Sequence, residues 1–322
     1  MPNWITNILE FNENENIEPF KRFCIGSEEQ GVLDFEKFIP SPKYIDFTEW
    51  VLKGDYRYDL RLFSIISYIA KSMMDKKIFN VDKFLNHDKS ANLKVSLSKE
   101  KLSNAFKQFL AKNADKLGIN KVIDLDNGDN ITNEIIDILD KTIDLCVESY
   151  KNLANKYDVH EIFFAGIVTK YVLENYKSFY TDSMTQVLLN SKKPICKQAL
   201  LEQGKFYFDL LYRYGVDDWY NWKITYWGTK WNAYDPVWCN NHTLGFNTAW
   251  SSPTPIICKI KELFPDLQIT YYWVDEGWPS EPHMYYTDRF NKTFIENVIE
   301  GDEDARMEIT NHIYNTYDNG LA

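Results

Sequence analysis

The sequence predicts an α+β fold, in which a split sheet with helices on one face is interrupted by a large all-helical insertion. Two observations lead to this prediction. A strand–helix–strand pattern occurs near the start and again in the last third, and a period of 3.6 residues dominates the middle. We therefore predict three segments. Residues 1–50 form the first half of one domain, residues 51–198 are the insertion, and residues 199–322 form the second half with a C-terminal extension.

The first segment is predicted to contain a strand, a short helix and a second strand. Residues 3–11 alternate in polarity as a strand does. Residues 14–23 are typical of a short helix, with Pro19 near its first turn. Residues 31–42, GVLDFEKFIPSP, have the composition of a strand that ends at its prolines.

Apolar residues in the insertion recur at helical spacing. In residues 131–157, for example, Ile135, Ile138 and Leu139 fall on one stripe. Gly118 is placed to end a helix in the left-handed conformation. The helices predicted for the insertion are 58–74, 98–118, 131–157 and 160–180.

The last segment is predicted to alternate strands with helices. Thr254 followed by Pro255 is typical of a helix start, with the threonine as N-cap. The predicted helices are 199–215 and 254–267, the predicted strands are 221–231, 244–252 and 268–278, and the acidic run 300–308 begins a last helix.

The charge of the chain is uneven along its length. The chain carries 47 acidic against 36 basic residues, a formal net charge of −11. This balance argues against a general nucleic-acid-binding protein, which usually presents a basic face. Residues 51–120 are an exception, with 14 Lys/Arg against seven acids. Nucleic-acid binding by these basic helices therefore stays an alternative, although their lysines Lys99, Lys101, Lys107 and Lys112 do not align on one helix face.

The residue types needed for catalysis or metal binding form no recognisable motif. The five cysteines contain no C-x-x-C pair, and the five histidines contain no H-E-x-x-H pair. The acidic run 124–134 has the wrong spacing for a calcium loop and is interpreted as a turn. No G-x-S-x-G motif or phosphate-binding glycine loop occurs. We therefore expect no catalytic residue, no cofactor and no metal site, and we expect reduced cysteines, as in a cytosolic protein.

A tryptophan-rich region is the strongest candidate for a binding site. Eight of the ten tryptophans lie between Trp219 and Trp278. The cluster is interpreted either as a stacking or cation–π pocket or as the aromatic core of a small sheet. The candidate binding residues are Trp227, Lys230, Trp231, Asp235, Trp250, Asp275 and Glu276.

Within this region the core interpretation is favoured, because clustered tryptophans are usually buried. We expect Trp227 and Trp231 to bury their rings against neighbouring strands, with Trp250 beside them. Gly228 is expected to hold a bend, and Lys230 to form an ion pair with Asp235 or Glu276. Asp275 and Glu276 are adjacent in a predicted strand, so only one of them is expected to face a common site.

Four stretches of the chain resemble one known family. They are MPNWITN, LDFEKFIPSP, WYNWKITYWGTKWNAYD and FNTAWSSPTPIICKIKELFPDLQITYYWVDEG. Together they resemble the Api92-like, YubB-type family of phage and plasmid proteins. The chain departs from the usual motifs at Ile5, Tyr226 and Ser252. The resemblance implies a ferredoxin-like domain and an origin in a phage or another mobile element, and it implies no reaction.

The hypothesis that follows is a non-enzymatic binding protein of a phage or mobile element. Its expected partner is a host protein, in the role of an antagonist of host defence or of a regulatory protein. Because there is no signal peptide and no run of eighteen apolar residues, we expect it in the cytoplasm of a bacterial host. A small-ligand binder or enzyme that uses Lys230, Asp235 and Glu276 in the region 219–278 stays open beside it.

Overall fold

The computed structural model describes most of the chain as two compact units. The described residues are 3–27, 31–42, 45, 57–78, 80–87, 96–119, 131–156, 197–216, 218–287, 294–297 and 303–322. One unit combines Met1–Pro42 with Tyr220–Ala322, and the other is Lys43–Trp219. The division after residues 50 and 198 stays a prediction. The predicted helix 160–180 and most of the acidic run 124–134 lie outside the described residues.

The helices and strands of the described residues are numbered here along the chain. The helices are α1 (Glu18–Cys24), α2 (Arg57–Lys76), α3 (Val81–His87), α4 (Ser96–Lys112), α5 (Ala114–Leu117), α6 (Asn133–Lys156), α7 (Lys197–Tyr214), α8 (Trp219–Tyr226), α9 (Thr254–Leu263) and α10 (Glu303–Leu321). The strands are β1 (Trp4–Phe11), β2 (Tyr234–Asn240), β3 (Thr243–Ala249), β4 (Ile269–Asp275), β5 (His283–Thr287) and β6 (Phe294–Asn297).

The first unit is built on one antiparallel sheet. The strands lie in the order β2-β3-β1-β4-β5-β6, and each neighbouring pair is antiparallel. With α1 after β1 and α9 between β3 and β4, the first four strands have the β-α-β-β-α-β order of a ferredoxin-like sheet. The predicted α+β class, with a helical segment between the two halves of the sheet, is therefore confirmed.

Helices cover both faces of this sheet. Alternate residues of β1 point to opposite faces and therefore contact different helices. On one side Phe11 contacts Phe20 of α1, with ring centroids 4.9 Å apart, and Phe20 contacts Phe264 at the end of α9 at 5.4 Å. On the other side Ile8 packs in a buried cluster with Ile313 and Tyr317 of α10. The last helix, α10, thus adds a layer on the face opposite α1, beyond the helices that we predicted on one face.

The second unit is a helical bundle in which α2, α6 and α7 share the core. Ile66, Leu139 and Tyr207 are fully buried in it. The helices predicted for residues 58–74, 131–157 and 199–215 are therefore confirmed as α2, α6 and α7. Gly204 explains how α7 lies so close to α2, because a Cβ at this position would stand 1.9 Å from the carbonyl oxygen of Ser64.

The strand predicted for residues 31–42 is wrong. The segment contains a 3₁₀ helix at Phe35–Lys37, and the carboxylate of Asp34 accepts the backbone N–H of Glu36 at its start. The side chain of Asn232 accepts the N–H of Phe35 at 2.9 Å. Side chains therefore satisfy the backbone groups that a neighbouring strand would otherwise have satisfied.

The strand predicted for residues 221–231 is also wrong, because α8 occupies its first half. Trp222 and Tyr226 are four residues apart and stack on the helix surface, with ring centroids 5.1 Å apart. Trp222 is fully buried, so tertiary packing outweighs the strand propensity of its neighbours. The prediction that Thr254 is the N-cap of α9 is wrong as well. Pro253 is the N-cap, and Thr254 is the first residue of the helix.

Candidate binding site

Exposed aromatic residues gather at one end of the sheet. Because neighbouring strands are antiparallel, the starts of β1 and β2 and the ends of β3 and β4 meet there. Trp4 begins β1 and is half-buried, and the exposed fractions of four further residues are 38% for Trp231, 51% for Tyr234, 53% for Trp250 and 64% for Trp278. We call these five residues the aromatic end.

Three of these rings are in direct contact. Trp4 stacks on Tyr234, with centroids 4.7 Å apart and planes inclined by 24°. Trp231 lies at 6.1 Å from Trp4 in a tilted arrangement, and the Nζ atom of Lys230 lies 4.8 Å from the Trp231 ring centroid. The expectation that Trp231 is buried in the core is therefore wrong, since the ring is at the surface beneath a cation.

Trp250 has a strained backbone as well as an exposed side chain. Its φ angle is 72°, in the left-handed region that a bulky residue rarely adopts. Its N–H donates to the carbonyl oxygen of Asn3 at 3.0 Å, which ties the end of β3 to the start of β1. Such strain tends to occur at functional sites, where the surrounding structure holds it in place. Trp250 is thus an exposed residue at the end of β3.

Trp227 is buried, as predicted. Only 1% of it is exposed, and its indole N–H donates to the carbonyl oxygen of Ile39 at 2.8 Å. Its ring packs edge-on against Phe35 and Trp222, with centroids 5.8 Å away in both cases. Trp227 therefore belongs to the core rather than to the exposed surface.

Gly228 forms the bend that the sequence predicts. Its φ angle is 80°, and an added Cβ would stand 2.6 Å from Pro255 Cδ and 2.9 Å from the Ser252 carbonyl oxygen. The hydroxyl of Ser251 donates to the Gly228 carbonyl, and the hydroxyl of Thr229 donates to that of Ala249 at 2.8 Å. These two hydrogen bonds join the W-G-T-K-W motif to the T-A-W-S-S motif. Trp231 and Trp250 lie within one or two residues of the joined positions.

Two carboxylates lie at the same end of the sheet. Glu276 Oε1 accepts the Trp4 N–H at 2.9 Å, and the Glu276 N–H donates back to the Trp4 carbonyl at 3.0 Å. Asp275 Oδ1 accepts the N–H of Gly277 at 2.7 Å. Burial raises the pKa of the Tyr314 phenol, and the negative charges of Glu276 and Asp275 raise it further.

Asp275 is half-buried at the end of β4, and Glu276, the next residue, is exposed. The expectation that only one of these two acids faces a common site stays a prediction. Asp235 is exposed near the start of β2, with a φ angle of 45°. The ion pair of Lys230 with Asp235 or Glu276 stays a prediction.

Sequence reasoning missed Trp4 and Tyr234 as members of the site. Both lie in stretches that carry the family resemblance, and each begins a strand. The signal that could have found them is this shared position, since aromatic residues at the starts of β1 and β2 meet when these strands lie near one another in a sheet. Strand β2 itself was not predicted, so its first residue could not be placed.

Burial favours the protonated form of several thiols and phenols among the described residues. Burial raises the pKa of both Cys24 and Cys146 to about 12, so both stay protonated near neutral pH. Tyr271 donates from its hydroxyl to Asn7 Oδ1 at 2.7 Å in the core, and burial raises its pKa as well. Among the described residues, no group of three His, Cys, Asp or Glu side chains could hold a metal ion.

The basic residues of the helical unit are partly neutralised by neighbouring acids. Lys107 Nζ lies 2.7 Å from Asp82, and Lys197 Nζ lies 2.8 Å from Asp140 and 3.0 Å from Asp144. Of the four lysines considered for nucleic-acid binding, Lys107 therefore already contacts a carboxylate. This weakens the alternative of a basic binding face on these helices.

The chain was compared with known families and structures. Residues 226–319 match a family model described as the ferredoxin-like domain in Api92-like protein. A crystal structure of the protein Api92 from Yersinia pseudotuberculosis matches at 11% identity and a TM-score of 0.32, over 94% of this chain and all of the other. None of the curated proteins compared with the chain matches it. The resemblance to the Api92-like family is confirmed.

Proposed function

We propose that this chain, which has the ferredoxin-like domain of Api92-like proteins at residues 226–319, is a non-enzymatic binding protein of a phage or other mobile element. It docks a host protein on the aromatic end and acts as an antagonist of a host defence or regulatory protein in the bacterial cytoplasm. Within the described part of the chain, no helix is long and apolar enough to cross a membrane.

The aromatic end is the single observation that carries this proposal. Exposed tryptophan and tyrosine side chains are enriched where proteins bind each other, because they bury a large area with few rotatable bonds. Trp231, Tyr234 and Trp250 are exposed, although Thr229 and Ala249, which join the two motifs by a hydrogen bond, are fully buried. The strained φ of Trp250 supports the same interpretation, since its cost is tolerated where the side chain is needed.

The charge of the first unit supports a basic partner. Residues 1–42 and 220–322 contain 22 acidic and 10 basic residues, whereas residues 43–219 contain 25 acidic and 26 basic residues. The negative charge of the chain therefore belongs to the unit that has the aromatic end. Complementary charge speeds association and excludes acidic partners, so a host protein with a basic surface is the expected partner.

Capture from bacterial lysate on the immobilised full-length chain tests the proposal. We expect the wild type to retain a protein that a Trp231→Ala, Trp250→Asn variant does not retain. Asparagine is chosen at position 250 because it tolerates a positive φ. The retained protein is identified by mass spectrometry, purified and titrated directly against both forms.

The matched control is a Leu263→Ala, Tyr286→Ala variant, which removes two other exposed apolar side chains of the first unit. It is expected to retain the same protein as the wild type. Retention of identical proteins by all three forms would contradict the proposed site. Another outcome is a small molecule that raises the melting temperature of the wild type and not of the Trp231→Ala, Trp250→Asn variant. That result would assign the site to a small-molecule ligand and not to a protein partner.

A further inference from the structure

We infer that the aromatic end recognises an arginine side chain of its partner, an inference that rests on the proposed function and names the chemistry of the contact. The surface combines open aromatic rings with carboxylates in one place. Trp231 and Tyr234 supply exposed rings, and Asp235, Asp275 and Glu276 supply the acids. A guanidinium group matches both features, because it is a planar cation that stacks on rings and bonds to carboxylates.

The Trp231 ring already holds a cation within the chain itself. Lys230 Nζ lies 4.8 Å from its centroid, inside the distance at which ring and cation attract each other. The stacked pair of Trp4 and Tyr234 offers a second aromatic surface, which is open on the tyrosine side because half of Tyr234 is exposed. A partner cation therefore finds a ring surface next to the one that Lys230 covers.

The carboxylates keep free acceptor capacity for such a cation. Glu276 uses Oε1 for the N–H of Trp4, and an ionised carboxylate has two oxygens with about four acceptor positions. Glu276 is exposed, as is Asp235. With Asp275 at the end of β4, three acidic residues lie at this end of the sheet, so the local charge favours a cation over an anion.

Arginine fits this surface better than lysine does. Its flat guanidinium stacks on an aromatic face while its N–H groups form a fork onto a carboxylate, whereas an ammonium group is a compact and strongly hydrated point charge. The arrangement of rings beside acids uses both properties of arginine at once. A surface that attracted cations by charge alone would not separate the two residue types.

The experiment titrates the full-length chain with two short peptides of equal charge, amidated tetra-arginine and amidated tetra-lysine, and follows binding by isothermal calorimetry. We expect the arginine peptide to bind about tenfold more tightly, equivalent to about 1.4 kcal/mol. An Asp235→Asn, Glu276→Gln variant is expected to lower the affinity for tetra-arginine about tenfold. Both changes keep the fold, since asparagine tolerates a positive φ and glutamine still accepts the N–H of Trp4.

The matched control removes two exposed acids elsewhere in the same unit, with Glu13→Gln and Glu308→Gln. This variant is expected to bind tetra-arginine as the wild type does. Equal affinities for the two peptides, equal losses in the two charge variants, or no binding of tetra-arginine would each overturn the inference. The capture experiment decides the proposed function separately, because a partner lost by the Trp231→Ala, Trp250→Asn variant would stand without any preference for arginine.

Discussion

At the scale of residues, Trp227 and Trp231 stand four positions apart and have opposite environments. Trp227 is buried against Phe35 and Trp222, and Trp231 lies at the surface. The left-handed φ of Gly228 turns the chain between them. The Trp227 ring therefore points into the core, and the Trp231 ring is exposed to solvent. One motif thus supplies both a core residue and a binding residue.

Replacement of Trp227 by alanine tests this division. We expect a loss of about 3–5 kcal/mol in the free energy of unfolding of the first unit, because the change leaves a large cavity and removes a buried hydrogen bond to Ile39. Trp231→Ala is the matched control and is expected to cost about 1 kcal/mol or less. Urea denaturation followed by circular dichroism measures both, and equal losses would contradict the assignment of the two rings.

The sequence contains the signal for the two glycine positions but not for the tryptophans. Gly118 and Gly228 both adopt a positive φ, of 73° and 80°, where the sequence predicts a helix end at Gly118 and a bend at Gly228. No local pattern distinguishes Trp227 from Trp231, because burial depends on segments far along the chain. The carbonyl of Ile39 and the ring of Phe35, which enclose Trp227, come from the segment that was wrongly predicted as a strand.

At the scale of elements, long amphipathic helices follow from the sequence and short elements do not. Helices α2, α6 and α7 each bury one stripe over 18 residues or more, so their period is clear. Helix α8 has eight residues and strand β6 has four. Over such lengths contacts with the rest of the unit outweigh local preference, and the period cannot be read from the sequence.

The contact between α3 and α4 predicts a pH dependence in the helical unit. Hydrogen bonds from Lys107 and Ser103 lower the pKa of Asp82 below its ordinary value of 3.8. Because the folded state holds the carboxylate ionised, the contribution to stability is present above the ordinary pKa. It is lost as the pH falls through the lowered one.

We therefore expect an Asp82→Asn variant to be less stable than the wild type near neutral pH and to lose less stability between about pH 5 and pH 3. The effect is expected to be small, because about half of the Asp82 side chain is exposed to solvent. Ser103→Ala removes one of the two donors and should give an intermediate pH dependence. Urea midpoints across this pH range measure it, and identical profiles for all three forms would refute the role of Asp82.

At the scale of the whole molecule, the chain divides its charge and its cores between two units. The first has a core around Leu9 and Phe246 and most of the excess acid, and the second has a core around Ile69 and Ile143 and a near balance of charges. The helical unit enters the chain between α1 and β2, and in the first unit the β-α-β-β-α-β order continues across it.

This division predicts that the first unit folds without the second. Replacing residues 43–219 by a flexible Gly/Ser linker of about ten residues should leave the sheet intact, because the strand pairs β1–β3 and β1–β4 lie within the remaining chain. Near-ultraviolet circular dichroism should keep the signals of buried tryptophans such as Trp227, and thermal unfolding should stay cooperative. The matched control is the same deletion with Trp227→Ala, which should lose the signal and the cooperativity together. An unfolded or molten product from the first deletion would show that the helical unit is needed for the sheet to form, and that the two cores depend on each other.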